Sequence, residues 1–160
     1  MHVISGFIRG AVCEVFATML QLEAIADEGD DASPPPVSIT GVSGQVSFTG
    51  KMTGSLYQNF SEKLACTCAG RIMGSGDGTN MPESEVNDVI GELTNMVTGN
   101  LKSKMADKGF NCTLSIPTVI RGGKVTIDSH DAQISLHNLF RITELNEVLI
   151  VQVFARLEEK

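Results

Sequence analysis

Glu85-Val86-Asn87-Asp88-Val89-Ile90-Gly91-Glu92-Leu93-Thr94-Asn95-Met96-Val97-Thr98-Gly99-Asn100 carries two opposed stripes. At about 100° per residue, Val86, Val89, Ile90, Leu93, Val97 and Leu101 fall on one side, the mark of an amphipathic helix with that side in a core. Asp88, Glu92, Asn95 and Gly99 fall on the other, four, three and four residues apart, one above the next. Gly99 stands where a helix prefers alanine, at a cost of roughly 1 kcal/mol. On an exposed face, a glycine lets another surface come close. The stripe therefore reads as a polar edge made for insertion into a partner.

The surrounding chain supplies a core for that helix. Val3, Ile4, Phe7, Ile8, Val12, Val15, Phe16, Met19 and Leu20 recur at helical spacing and predict a first helix of about two dozen residues. An acidic loop, Asp27 to Pro36, ends in a stiff triple proline. Short strands are expected around Val37–Thr40 and Gln45–Thr49, a turn at Gly50-Lys51, and a returning hairpin arm from Thr53 to Phe60. Ser61 is placed to cap a helix through Met73. The key helix opens at Ser84 or Pro82 and stops at Gly109. Asn111–Ile116, Lys124–Leu136 and Glu147–Arg156 read as strands, with a turn at Gly122-Gly123. Adjacent strands between helices predict an α+β domain over residues 1–160, an antiparallel or mixed sheet packed against long helices.

A faint internal repeat lays Arg9–Met19 over the key helix. Glu14 then matches Glu92, and Ala17 falls where Asn95 stands.

The chain has 160 residues and a net charge of −7, with 42% hydrophobic and 19% charged residues. That composition predicts a globular domain and argues against nucleic acid or an anionic membrane surface as partners. No apolar run is expected to reach the roughly 18 residues of a spanning helix. Cys13, Cys66, Cys68 and Cys112 lack CxxC spacing and read as reduced, mostly buried thiols of a cytoplasmic protein. No metal site is expected. Cys66 and Cys68 splay on a helix, and His2, His130 and His137 are scattered. Gly74-Ser75-Gly76-Asp77-Gly78 lacks the Lys-Ser/Thr of a phosphate loop and reads as a linker. Gly44 to Lys51 has one residue too many between its glycines for a P-loop, and Met52 stands where the Mg²⁺-binding hydroxyl belongs.

Asp88-Val89-Ile90-Gly91-Glu92-Leu93-Thr94-Asn95, with its Met-Val-Thr-Gly continuation, resembles the active helix of the CheC/CheX/FliY family of chemotaxis phosphatases. Gly50-Lys51-Met52-Thr53-Gly54-Ser55-Leu56-Tyr57 and Ile116-Pro117-Thr118-Val119 resemble the CheX branch in the same order. The resemblance implies dephosphorylation of a CheY-type response regulator. Asn95 then positions the hydrolytic water, Glu92 docks on a lysine of the regulator, and Asp88 and Gly99 support the contact. It also implies a CheC-like fold, a homodimer, and no cofactor in this chain, the Mg²⁺ belonging to the receiver. The chemistry agrees: an acyl phosphate is already activated, so positioning and electrostatics carry most of the work. An amide accepts and donates without changing protonation. The competing reading is a non-catalytic receiver-binding module or scaffold of the same fold.

Overall fold

The computed structural model describes residues 2–27, 37–39, 41–122, 125–127 and 131–159. Residues 28–36 of the acidic loop and 128–130 of the expected strand Lys124–Leu136 lie outside them.

α1 (His2–Val15) runs into a π-helical turn (Phe16–Leu20), which Gln21 ends in the left-handed conformation at φ 54°. Then come β1 (Ala24–Ala26), β2 (Val37–Ile39) and the hairpin of β3 (Val42–Gly50) and β4 (Met52–Phe60). α2 spans Glu62–Met73; the Ser61 hydroxyl caps it by accepting from the Leu64 N–H at 3.0 Å, and Gly74 closes it at φ 69°. α3 spans Glu83–Ala106, with Glu83 and Glu85 at its positive end and Lys104 at its negative end. β5 (Cys112–Leu114), β6 (Thr118–Arg121), β7 (Val125–Ile127), β8 (Ile134–Ile142) and β9 (Glu147–Leu157) follow.

Seven strands form one antiparallel sheet in the order β1-β8-β9-β4-β3-β5, with β6 also on β3; β2 and β7 form a separate ribbon. The order is symmetric about the β9–β4 pair. The series α1-β1-β2-β3-β4 and α3-β5/β6-β7-β8-β9 take equivalent places, and each lends its first sheet strand to the edge of the other's hairpin. The faint repeat in the helices therefore extends through the fold.

The strand alternation sorts the two sheet faces. Val42, Phe48, Met52, Leu56, Phe60, Leu136, Phe140, Leu149, Val151 and Val153 are buried in one cluster with the helices. Ile8, Val12 and Val15 of α1, Phe16 of the π turn, Leu64 and Cys68 of α2, and Val86, Ile90, Leu93, Val97 and Leu101 of α3 belong to it as well. The opposite face carries Ser43, Tyr57, Asn59, Gln152 and Phe154; Ser43 donates to Asn59 at 2.9 Å and Tyr57 meets Phe154 edge-on at 6.2 Å.

Several sequence expectations need correction. Lys124–Leu136 is not one strand: β7 ends at Ile127, and β8 begins at Ile134 and continues to Ile142. Asn138 hid the continuation, because it interrupts an apolar alternation; in the fold it donates to the Ser5 hydroxyl at 3.0 Å inside the core. β1 and β6 were not anticipated, since runs of three and four residues carry too little pattern. One helical stretch among the described residues, Val3–Leu20, is long and apolar enough to cross a membrane by length and composition, with mean hydropathy 1.6 over 18 residues. Arg9 and Glu14 interrupt its apolar run in the sequence. Within the fold its Ile8, Val12, Val15, Phe16 and Leu20 are buried in the core. Of the cysteines, only Cys68 is fully buried; Cys13, Cys66 and Cys112 are half-buried.

Candidate functional site on helix α3

The height of α3 above the sheet is set by a small, polar inner row: Gly91, Thr94 and Thr98, all buried. A Cβ on Gly44 of β3 would lie 1.9 Å from the Thr94 hydroxyl oxygen, so only glycine allows this approach. The Thr94 hydroxyl is 2.8 Å from the Ile90 carbonyl and 3.1 Å from Oε1 of buried Gln58 on β4. One hydroxyl proton serves one acceptor at a time. With the Gln58 amide turned over, its Nε2, otherwise without a partner, donates to Thr94, which donates onward to Ile90. Thr98 donates to the Thr94 carbonyl at 2.7 Å.

Two further contacts hold the helix sideways. Gly91 faces Pro117 and Val119, 3.6 Å from where its Cβ would be, so the turn before β6 lies along α3. Arg121 at the end of β6 pairs with Glu62 of α2 at 2.6 Å and donates to Asn87 of α3. Arg121 thus ties the starts of both helices to one strand. Sequence reasoning missed it, because a single arginine before a Gly-Gly turn has no spacing signal.

On this base, Asp88 and Glu92 point outward and are exposed, while Asn95 and Gly99 are half-buried. In an α-helix these positions stack with about 5–6 Å between successive Cβ atoms. The structure therefore brings all four sequence-predicted residues onto one line. Among the described residues, the side chains of Asp88, Glu92 and Asn95 make no hydrogen bond or ion pair. Other carboxylates are engaged: Glu62 with Arg121, Glu144 with Arg71, and Glu14 with Asn100 at 2.8 Å. A Cβ on Gly99 would meet nothing within 4 Å, so no internal packing asks for glycine there.

No cysteine lies on this helix; the four cysteines stand on α1, α2 and β5. Burial pushes the Cys68 thiol up to about 12 against the lowering effect of Arg71. Burial likewise raises Cys13 and Cys112, with nearby Lys104 and Lys102 offsetting part of the effect. Unpartnered acids and an amide on a rigid helix can instead recognise a cation and orient a water. Gly74–Gly78 is a structural turn, with Gly74, Gly76 and Gly78 at positive φ and Asp77 accepting from the Thr79 N–H at 3.0 Å.

The family model described as Chemotaxis phosphatase CheX matches residues 42–141. A CheY-P phosphatase CheX from Thermotoga maritima is 32% identical over 84 residues, 52% of this chain and 54% of that protein. The match thus spans about half the length of that curated relative. The crystal structure of chemotaxis protein CheX from Vibrio vulnificus superposes with a TM-score of 0.79 at 25% identity, covering 96% of each chain. The CheX chain of the CheX–CheY–BeF3–Mg²⁺ complex from Borrelia burgdorferi has the same fold, with a TM-score of 0.74 at 21% identity, covering 95% of this chain and 97% of that one.

Proposed function

The chain belongs to the CheX family of chemotaxis phosphatases, and on that premise we propose that it hydrolyses the aspartyl phosphate of a CheY-type receiver domain. Asn95 enters the receiver's active site and orients the water. Glu92 docks on a basic side chain of the receiver, and Asp88 supports the same contact. Gly99 leaves room for the partner's backbone. The observation that carries this reading is the free Asn95 amide one turn from free Glu92, on a helix seated against the sheet through Gly44 and Thr94.

The chemistry asks little more of this chain. The water oxygen bonds to phosphorus as the acyl P–O bond breaks. The electron pair leaves with the receiver's carboxylate, and the water's proton ends on the phosphate. The transition state is loose, so an in-line water and local charge balance account for the catalysis. An amide holds that water without adding charge beside the phosphate, whereas a carboxylate would repel it. The Mg²⁺ is the receiver's. The complex of the Borrelia relative with CheY supports the choice of partner.

The reading places the protein in the cytoplasm beside its receiver. It includes a homodimer, supported by apolar side chains on the sheet face away from the helices, where Ile25 and Val148 are exposed and Ile150 and Phe154 half-buried.

Loss of label from a phosphorylated CheY-type receiver tests the reading. The native chain is expected to accelerate it, and Asn95→Ala to remove about 10²-fold or more of that acceleration. Glu92→Ala is expected to weaken the complex. Acceleration that survives Asn95→Ala moves the site elsewhere. Tight binding without acceleration makes this a receiver-binding module.

A further inference from the structure

Beside the acid stripe lies a groove of about 340 Å³ that the water-positioning chemistry does not use. Its apolar wall comes from three elements: Met19 of the π turn, Ile72 and Met73 at the end of α2, and Met96 of α3. Its other wall is a row of carboxylates on α3, Glu85, Asp88 and Glu92. We propose that this groove is a second anchor for the receiver, taking an apolar side chain of the receiver that stands next to a lysine or arginine. The proposal rests on the receiver being the partner and adds where, besides Asn95, it is gripped.

Exposure is the first argument. Met19 is 42% and Met73 56% exposed, although Leu20, next to Met19, and Ala69, about one turn before Met73, are buried. Methionine is unbranched and polarizable, so such a wall adapts to an inserted side chain. Charge is the second. Glu85, Asp88 and Glu92 share one helix face, and among the described residues none has a cationic partner. Like charges so close repel, and a cation brought by the partner removes that repulsion. An acidic or purely apolar occupant would not. Continuity is the third. Glu92 belongs to both the stripe and the groove, and Met96 follows Asn95 in the chain. A domain-sized partner that presents a phosphate to Asn95 therefore has the groove at the edge of its contact.

The groove also answers a difficulty in the charge balance. At −7, this chain gains no long-range attraction toward an acidic partner. Affinity then has to come from short-range contacts, and an apolar anchor with a charged rim is the usual form of such a contact.

The test measures affinity separately from turnover. A beryllofluoride-treated CheY-type receiver is titrated against the native protein and against Met73→Asp, Met19→Asp and Glu85→Gln, each first checked by thermal melting. Met73→Asp and Met19→Asp are expected to raise the Kd roughly tenfold or more. Glu85→Gln is expected to raise it less and to flatten its salt dependence. Val3→Asp, an equally exposed apolar position on α1, serves as the control and is expected to leave the Kd unchanged. If the native protein binds and both methionine variants bind equally well, the groove is not an anchor, whatever the turnover. If the native protein binds but does not accelerate loss of label from the phosphorylated receiver, and the methionine variants lose affinity, the catalytic reading fails and the groove stands. Absence of any binding by the native protein overturns both.

Discussion

Helices α1 and α3 hold equivalent places in the two halves of the fold and lie against one another. Laid in the register that matches Glu14 with Glu92, their cores coincide: Ile8 with Val86, Ala11 with Val89, Val12 with Ile90, Val15 with Leu93 and Phe16 with Thr94 are all buried. What differs is how each helix is held. Where α3 has Thr94, hydrogen-bonded and seated on Gly44, α1 has Phe16, stacked on Phe60 with ring centroids 6.5 Å apart. Where α3 continues as regular helix past Asn95, α1 passes into a π turn at Phe16 that contains Ala17. Glu14, the counterpart of free Glu92, accepts from Asn100. One copy is fastened by bulk and has its outer polar group satisfied inside the molecule. The other is fastened by directional hydrogen bonds and close approach, which fix its axis and leave its outer groups unsatisfied. A helix that must present an amide at a defined position in a partner needs the second kind of fastening.

That contrast can be broken in three places. Phe16→Ala is expected to have the largest effect, a loss of about 3–5 kcal/mol in stability, or roughly 6–20 °C in Tm for a chain of this size. The turnover of the protein that remains folded, measured below its melting point, is expected to hold. If turnover falls in the folded protein, α1 does more than fill the core. Gly44→Ala comes next. Its methyl meets Thr94, and overpacking of this kind costs about 1–3 kcal/mol. Denaturant titration of Gly44→Ala, Thr94→Ala and the double variant is expected to show the pair costing less than the sum. Strict additivity would mean that this contact does not set the height of α3.

The smallest expected effect is none at all. Ala17→Asn, introduced into Asn95→Ala, is expected to leave receiver dephosphorylation at the level of Asn95→Ala. The π turn spoils the stacking of positions 14 and 17, and Glu14 is already engaged. Recovery of more than about tenfold would show that the geometry of α1 still suffices for catalysis, and that only the amide was missing.

Much of this was legible in the sequence because it is periodic or capped. The 3.6-residue spacing of Val86 through Leu101 placed α3 and its outward stripe, and the Ser61 cap and Gly74 bounded α2. β1, β6 and the true extent of β8 were not legible, because short strands are specified by the neighbours they pair with and Asn138 breaks the visible alternation. Thr94 looked like an ordinary helix residue. Its role depends on Gly44 and Gln58, 50 and 36 residues away in sequence.

The sequence by itself determined the four-residue stripe of Asp88, Glu92, Asn95 and Gly99, since residue identity and helical pitch are local properties. Only the tertiary structure decided that those side chains are left without partners, that Arg121 ties α3 to α2 and β6, and that Met19, Ile72, Met73 and Met96 line one groove. Each of those facts is a meeting of residues far apart in the chain. Pairwise proximity of that kind is fixed by strand order and helix packing, which no local pattern records.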